Sequence, residues 1–428
     1  MSVHPNLSFE QAPPIDVPVR FLLTAPWFGI AAGLLVAWSG ELAIASRWTP
    51  QALAIVHLLV VGFLLQAMSG ALFQFVPVAA GGNVWRPRLV AGILHPALAL
   101  AACLLVAGLY AVDSWLLRLA AGLFLAAISF QVLVIGSALM RTPARGPTIA
   151  ALRLALAGLA ATVALGATLA EGLGGGHAWP IVGLTNVHAA WGLGGWVLML
   201  VIGVSYFVVP MFQLTPPYPG AFATWAPRVL VVSLGLWSLQ LVAPGVRWPI
   251  ALALLVAAAY AGTTLWLQAR RRRNVSDATF LFFRGAMLSL LAAVAVCAAS
   301  LLSDLPMLTW WLGVLALGGT FVSLVSGMAY KIVPFLNWLH LQREAGIGGV
   351  VPNMREMISD SAQKTHLRLH FASIGLLLAA GIEPAAAMAG GLVFALANGV
   401  FAWNLIGAAR RYRTFRDRVR AVGASPGS

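Results

Sequence analysis

Two histidines, His57 and His188, stand at similar distances before a proline in two related stretches of the chain. His57 precedes Pro77 by 20 residues, and His188 precedes Pro210 by 22 residues. On a helix these separations correspond to about 30 and about 33 Å, so the sequence predicts that both imidazoles lie at one depth. Such a pair can bind a neighbouring helix, relay protons or supply axial ligands to a haem iron.

The offset of two residues between these histidines also predicts their direction. At roughly 100° per residue, the two side chains point about 160° apart when their helices are superposed on the prolines. If the helices are related by rotation about a central axis, both rings enter one shared pocket from opposite walls. The pocket then suits a haem with two histidine ligands, or a haem with one proximal and one distal histidine.

Three further histidines are weaker candidates for metal binding. His95 is predicted about 10 Å above the cytoplasmic end of its helix, where packing or a hydrogen bond is the expected role. His366 and His370 are spaced i and i+4, which places them on one helix face where they could share a metal. We expect them near the cytoplasmic membrane surface, because Lys364 and Arg368 are close in sequence.

The prolines belong to a threefold repeat. A glycine stands seven residues before each proline, an aromatic residue four before it and a valine directly before it, at Gly70 to Pro77, Gly203 to Pro210 and Gly327 to Pro334. The copies are 133 and 124 residues apart, which is the length of about four membrane helices with their loops. The third copy has Leu312 and Val314 where histidines could stand.

The composition predicts a membrane protein, because 61% of the 428 residues are hydrophobic and only 9% are charged. We expect an all-α integral membrane protein of about twelve transmembrane helices in three pseudo-symmetric four-helix arcs. The predicted spans are residues 21–45, 51–78, 88–112, 115–140, 147–171, 179–211, 226–244, 248–268, 280–303, 308–338, 366–382 and 384–409.

The net charge of +14 comes from arginines that follow loop parity, and this pattern predicts topology instead of a nucleic-acid surface. Both termini are expected in the cytoplasm, with the protein multi-pass in a bacterial-type cytoplasmic membrane and the lipid bilayer as its partner. The predicted organisation is a cytoplasmic tail (1–20), a membrane domain (21–409) and a basic cytoplasmic tail (410–428). Residues before 21 lack the pattern of a cleaved signal peptide.

The stretch from His57 to Pro77 resembles the sixth helix of the catalytic subunit of cbb3-type haem-copper oxidases. In that family the histidine at the His57 position is a copper ligand. The stretch from His188 to Pro210 resembles the tenth family helix, whose corresponding histidine is the proximal ligand of the high-spin haem. His95 matches a family histidine that does not bind copper. The chain also resembles, more loosely, NnrS-type membrane haem proteins associated with nitric oxide stress.

Departures from the family pattern limit what this resemblance implies. Leu109 and Tyr110 stand where the family has its paired copper-binding histidines, and Ala190 replaces the histidine that binds the low-spin haem. The resemblance therefore implies the fold of haem-copper oxidase subunit I without a three-histidine copper site or complete terminal oxidase activity.

The expected function is that of a membrane protein with one b-type haem held by His57 and His188. If both ligate iron, the protein carries electrons, between quinol and a cytochrome or other respiratory subunits. If only His188 ligates, His57 becomes a distal group beside bound oxygen or nitric oxide. The alternative is a cofactor-free transporter or an assembly factor for respiratory complexes. A transporter needs polar residues at mid-depth, for which the candidates are Gln66, Gln131 and Asn398.

Overall fold

The computed structural model describes residues 9–175, 179–243, 245–246, 248–272, 275–346 and 351–424. The ends of the predicted terminal tails, residues 1–8 and 425–428, lie outside the described residues. The described part of the chain is helical and contains no β-strand. This confirms the all-α class.

Twelve long helices make up the structure. They are α1 (Asp16–Ser39), α2 (Pro50–Ala80), α3 (Pro87–Ala111), α4 (Ser114–Arg141), α5 (Pro147–Gly175), α6 (Ile181–Gln213), α7 (Gly220–Leu241), α8 (Pro249–Ala269), α9 (Ala278–Ser300), α10 (Pro306–Ala345), α11 (Asp360–Ala379) and α12 (Ala386–Ala424). Short helices at Phe9–Gln11, Glu41–Ala45 and Met354–Met357 occupy the connections. The predicted basic tail continues α12 as one helix over its described residues.

Eleven of these helices are long and apolar enough to cross a membrane, within the residues that the structure describes. The remaining one is α11, which covers most of the predicted span 366–382. Its first half carries exposed Lys364 and Arg368 on one side and two buried histidines on the other. The structure thus shows a multi-pass helical protein, and α11 is an amphipathic helix by comparison with its neighbours.

The helices that contain the repeated proline, α2, α6 and α10, surround a central cavity of about 170 Å³. Each contributes side chains from the same positions relative to its proline. Two residues before the proline, for example, the lining residues are Phe75, Val208 and Ile332. The cavity therefore lies on an approximate threefold axis.

The glycine seven residues before each proline makes an equivalent contact in all three copies. A Cβ atom added to these glycines would lie 2.6 to 2.7 Å from a Cβ atom of the preceding paired helix. The partners are Phe21 of α1 for Gly70, Ala151 of α5 for Gly203 and Phe282 of α9 for Gly327. Only glycine allows this approach, so the repeated motif fixes how α2, α6 and α10 pack on their neighbours.

A wider π-helical segment interrupts α2, α6 and α10 at the same level. The segments are Leu58–Leu64, Trp191–Leu198 and Val314–Val322, and each ends 12 or 13 residues before its proline. Insertions of this kind often occur at functional sites. Here they directly follow, or lie within three residues of, the two histidines that the repeat predicts to share a pocket.

The first and last long helices close the bundle. A Cβ atom on Gly33 of α1 would lie 2.6 Å from the Gly391 carbonyl oxygen of α12. A Cβ atom on Gly391 would in turn lie 2.5 Å from the Gly33 carbonyl oxygen. Such backbone contact through glycine is typical of membrane helices. Large apolar side chains such as Ile93, Leu133 and Leu255 face outward, as expected of a surface in contact with lipid.

Candidate functional site

The structure brings His57 of α2 and His188 of α6 together, although 131 positions separate them in the chain. Their ring centroids are 6.4 Å apart, and the ring planes differ by only 19°. The two ring planes are therefore nearly parallel, with a gap between the rings at the boundary of neighbouring repeats. The sequence predicted this meeting from the offset of two residues relative to the prolines.

A backbone carbonyl fixes the orientation of each ring. Nδ1 of His57 donates to the carbonyl oxygen of Leu53 at 2.7 Å, one turn earlier on α2. Nδ1 of His188 donates to the carbonyl oxygen of Thr162 on α5 at 3.0 Å. Because a carbonyl oxygen only accepts, Nδ1 carries the proton in each neutral ring. The lone pair on Nε2 is then available, which is the arrangement that metal-binding histidines use.

The hydroxyl of Thr162 makes a separate hydrogen bond within α5. Thr162 Oγ1 donates to the carbonyl oxygen of Gly158 at 2.7 Å, one turn earlier. A hydroxyl bonded back to the i−4 carbonyl commonly bends a helix. The carbonyl of Thr162 faces His188, so α5 positions the histidine of α6.

A glycine on α5 makes room for the His188 ring. A Cβ atom on Gly166 would lie 3.0 Å from Cε1 of His188 and 3.5 Å from its Nδ1. A larger residue would push the ring away from its present position. Gly166 and Thr162, one helical turn apart, thus hold the same ring from one side.

A charged clamp lies before α2. Arg47 donates from one guanidinium nitrogen to Oδ1 of Asn186 at 2.9 Å, two residues before His188. Its guanidinium also lies 4.6 Å from the centre of the Trp48 ring. Desolvation lowers the pKa of Arg47, but the guanidinium remains charged at neutral pH. The contact ties the chain entering α2 to α6 beside the histidine pair.

No cluster of three or more His, Cys, Asp or Glu side chains suited to a metal is present among the described residues. The pair therefore offers two imidazole nitrogens and no third protein ligand in that part of the chain. His57 and His188 are residues that could hold a haem iron, because histidine is a common haem ligand.

His95 lies elsewhere, on α3 against α1. Its Nε2 is 2.8 Å from the hydroxyl oxygen of Thr24, and its ring meets Phe21 edge to face at 5.1 Å between centroids. These contacts agree with the predicted packing and hydrogen-bonding role. The structure does not bring His95 to the pair.

His366 and His370 are buried inside the helix bundle. Nδ1 of His366 is 2.9 Å from the hydroxyl oxygen of Tyr330, and Nε2 of His370 is 2.8 Å from that of Ser323. The burial of both rings has a simple physical cause. On a helix, positions two residues apart point to opposite sides, so exposed Lys364 and Arg368 imply buried neighbours at 366 and 370.

The sequence alone missed the partners of these side chains. Tyr330 also accepts a hydrogen bond from Nδ2 of Asn404 on α12 at 2.9 Å. Tyr330 had been identified only as the aromatic residue of the third repeat. Nothing in its spacing indicates a histidine on α11.

The polar residues proposed for a transport site are dispersed. Gln131 accepts a hydrogen bond from Ser69, and Asn398 donates to the carbonyl oxygen of Phe394. Gln66 is buried, and none of the three lines either of the two cavities described in this article.

A scan of the chain against protein-family models found no match, and a search of curated proteins found none either. The functional assignment therefore depends on the geometry of the site.

Proposed function

We propose that this protein holds one b-type haem between His57 and His188 and carries electrons within the membrane. The observation that carries this proposal is the 6.4 Å separation of two imidazole rings whose Nδ1 atoms are both engaged by carbonyls. With metal–nitrogen bonds of about 2 Å, two imidazoles bound through Nε2 to one iron have centroids roughly 6 Å apart. The separation in this protein fits that ligand set.

The same distance favours coordination by both histidines over a proximal and distal pair. A distal histidine must leave room for a bound gas between its Nε2 and the iron, so its ring lies further from the proximal ring. An iron held by both His57 and His188 would leave no position for oxygen or nitric oxide. Electron transfer is therefore the proposed function. The alternative function, gas binding, requires that His57 does not bind the iron.

Each residue of the site has a defined task in this proposal. Haem iron supplies reversible one-electron chemistry when it is bound. Leu53 and Thr162 hold the two imidazoles in one tautomer through their carbonyl oxygens. Gly166 leaves the space that the His188 ring occupies. Both histidines are half-buried, and the solvent exposure of the ligands influences the reduction potential of such sites.

We also propose the finer topology that the charge pattern predicts. In this proposal α11 is the twelfth membrane-crossing helix, the helices form three arcs of four, and both termini are cytoplasmic in a bacterial-type inner membrane. The equivalent glycine contacts and the shared central cavity support a threefold origin. We propose a distant relationship to haem-copper oxidase subunit I on the same basis, with a quinol or a cytochrome as electron donor.

The reduced-minus-oxidised visible spectrum of the purified protein tests the haem. The wild type should show a Soret and an α band, and His57→Ala and His188→Ala should each lose the low-spin spectrum. His95→Ala is the matched control, because it removes an imidazole of the same bundle that does not reach the pair. It should retain the wild-type spectrum.

Two results would count against the proposal. Colourless wild-type protein, expressed with ample haem and folded, excludes haem binding. A wild-type spectrum in both His57→Ala and His188→Ala assigns any haem to other ligands. Carbon monoxide separates the two coordination states, since it should leave the reduced wild-type spectrum unchanged if both histidines ligate iron.

A further inference from the structure

A second cavity, of about 360 Å³, lies between α2 and α10. Helices α1, α11 and α12 and the segment that connects α1 to α2 complete its walls. It is separate from the central cavity and from the gap between His57 and His188. Its volume falls within the range of small-molecule sites.

This cavity is the threefold counterpart of the histidine pocket. The pocket uses positions 20 before the proline on α2 and 22 before the proline on α6. Rotation about the threefold axis replaces α2 by α10 and α6 by α2. The equivalent residues are then Val314, which is 20 residues before Pro334, and Ile55, which is 22 residues before Pro77. Both Val314 and Ile55 line the second cavity. The scaffold thus repeats the pocket, with two aliphatic side chains in place of the two histidines.

The cavity has a polar mouth and an apolar interior. Arg47, Ser46 and Thr309 lie at the mouth and are exposed. All three side chains can donate hydrogen bonds, and only Arg47 is charged. Buried aliphatic and aromatic side chains, including Leu59 and Phe394, form the interior. No Asp or Glu is among the described residues that line it, so the donors at the mouth face no carboxylate there.

The cavity and the histidine pocket share α2 as a wall. Ile55, Val56 and Leu59 face the cavity, while His57 faces the other way toward His188. Because a helix with its side chains is about 10–12 Å across, an occupant of the cavity lies roughly that far from the histidine pair.

We propose that this cavity binds a lipid-soluble quinone, with its carbonyl oxygens at Arg47, Ser46 and Thr309 and its apolar tail in the apolar interior. Hydrogen-bond donors at a mouth and apolar walls behind it match a flat ring with two acceptor oxygens and a hydrocarbon chain. The choice of a redox-active occupant rests on the proposed function, because an electron carrier in the bilayer needs a partner that dissolves there.

The variant Gly313→Leu tests the site by filling it. Gly313 lines the cavity, and a Cβ atom added to it meets no atom within 4 Å. Gly262→Leu is the matched control, because Gly262 is an exposed residue of α8 whose Cβ would also meet nothing within 4 Å. Thr309→Val is a second variant that removes one donor at nearly constant volume.

Two measurements are made on protein purified from native-like membranes. One is the quinone content of a solvent extract per mole of protein, and the other is the dissociation constant of a short-chain benzoquinone, measured by titration calorimetry in detergent. We expect Gly313→Leu to lose the bound quinone and to bind the analogue at least about tenfold more weakly. Thr309→Val should weaken binding by about threefold to tenfold. Gly262→Leu should resemble the wild type.

The haem spectrum of the same samples distinguishes failure of this inference from failure of the proposed function. The inference predicts an unchanged spectrum in Gly313→Leu and retained quinone in His57→Ala. Wild-type quinone binding in both Gly313→Leu and Thr309→Val overturns the quinone site, whatever the haem result. A wild-type extract that holds phospholipid but no quinone, with the phospholipid lost in Gly313→Leu, assigns the cavity to an acyl chain and also overturns it.

Discussion

The double variant Ala151→Gly, Gly203→Ala exchanges an alanine of α5 with a glycine of α6. It should leave the free energy of unfolding nearly unchanged, although each single substitution should lower it. A Cβ atom on Gly203 would lie 2.7 Å from Cβ of Ala151. The next nearest atoms, the Thr148 carbonyl oxygen and the Ala151 carbonyl carbon, are at ordinary contact distances of 3.6 and 3.7 Å. Removing Cβ of Ala151 therefore removes the clash that Gly203→Ala creates.

The magnitude follows from two opposing terms. Overpacking of this kind costs about 1–3 kcal/mol. Alanine is favoured over glycine in a helix by about 1 kcal/mol, which offsets part of the clash. We expect Gly203→Ala and Ala151→Gly each to lower the free energy of unfolding by about 1 kcal/mol. In the double variant the clash is absent and the two propensity terms cancel, so its stability should lie within about 0.5 kcal/mol of the wild type.

Reversible unfolding by dodecyl sulfate in mixed micelles, followed by circular dichroism, provides the free energies. Gly262→Ala is the control, because a Cβ atom there meets nothing within 4 Å, and it should not destabilise the protein. The predicted coupling between positions 151 and 203 is about 2 kcal/mol in the favourable direction. Additive losses in the double variant would refute the claim that this single Cβ contact sets the approach of α5 and α6.

Two further predictions concern the buried imidazoles. In Gly166→Val the branched side chain must displace the His188 ring, since even a Cβ atom would lie 3.0 Å from its Cε1. We expect the haem spectrum to change from low spin to high spin. An unchanged spectrum in folded protein would contradict this prediction. Tyr330→Phe leaves Nδ1 of His366 and Nδ2 of Asn404 without the hydroxyl that each meets at 2.9 Å. Nδ2 of Asn404 keeps its 3.3 Å hydrogen bond to the carbonyl oxygen of Ala362, so His366 is the group that loses its partner. One unpaired buried polar group costs about 1–3 kcal/mol, so the same unfolding titration should show a loss of about 2 kcal/mol, and a loss below about 0.5 kcal/mol would contradict the role of the hydroxyl.

The meeting of His57 and His188 could be predicted because it depends on regular geometry alone. Within a bilayer every backbone group must be paired inside its own segment, so long helices are enforced and residue offsets convert to depth and direction. The π-helical segments do not disturb this comparison, because they occur at the same level in α2, α6 and α10. The prediction holds because the distance from each histidine to the repeated proline is measured along equivalent helices.

The environment of His366 and His370 could not be predicted from their neighbours in sequence. The nearby charges of Lys364 and Arg368 predict a position near the membrane surface but do not say what the rings contact, and α11 presents those charges outward and its histidines inward. Only the packing of α9 and α12 beside them shows this, with the His366 ring 5.0 Å from the rings of both Phe282 and Phe401.

The sequence by itself determined that the chain is helical and apolar enough for a bilayer, that α2, α6 and α10 share one motif, and that two histidines stand at similar distances from it. Composition and periodicity settle these properties because they are set within single helices. The tertiary structure decided which groups those side chains meet: Thr162 of α5 for His188, Asn186 for Arg47, and an aliphatic counterpart of the histidine pocket at Ile55 and Val314. These contacts join segments far apart in the chain. Their geometry depends on how closely whole helices approach one another, and glycines such as Gly203 and Gly391 set that distance in the assembled bundle.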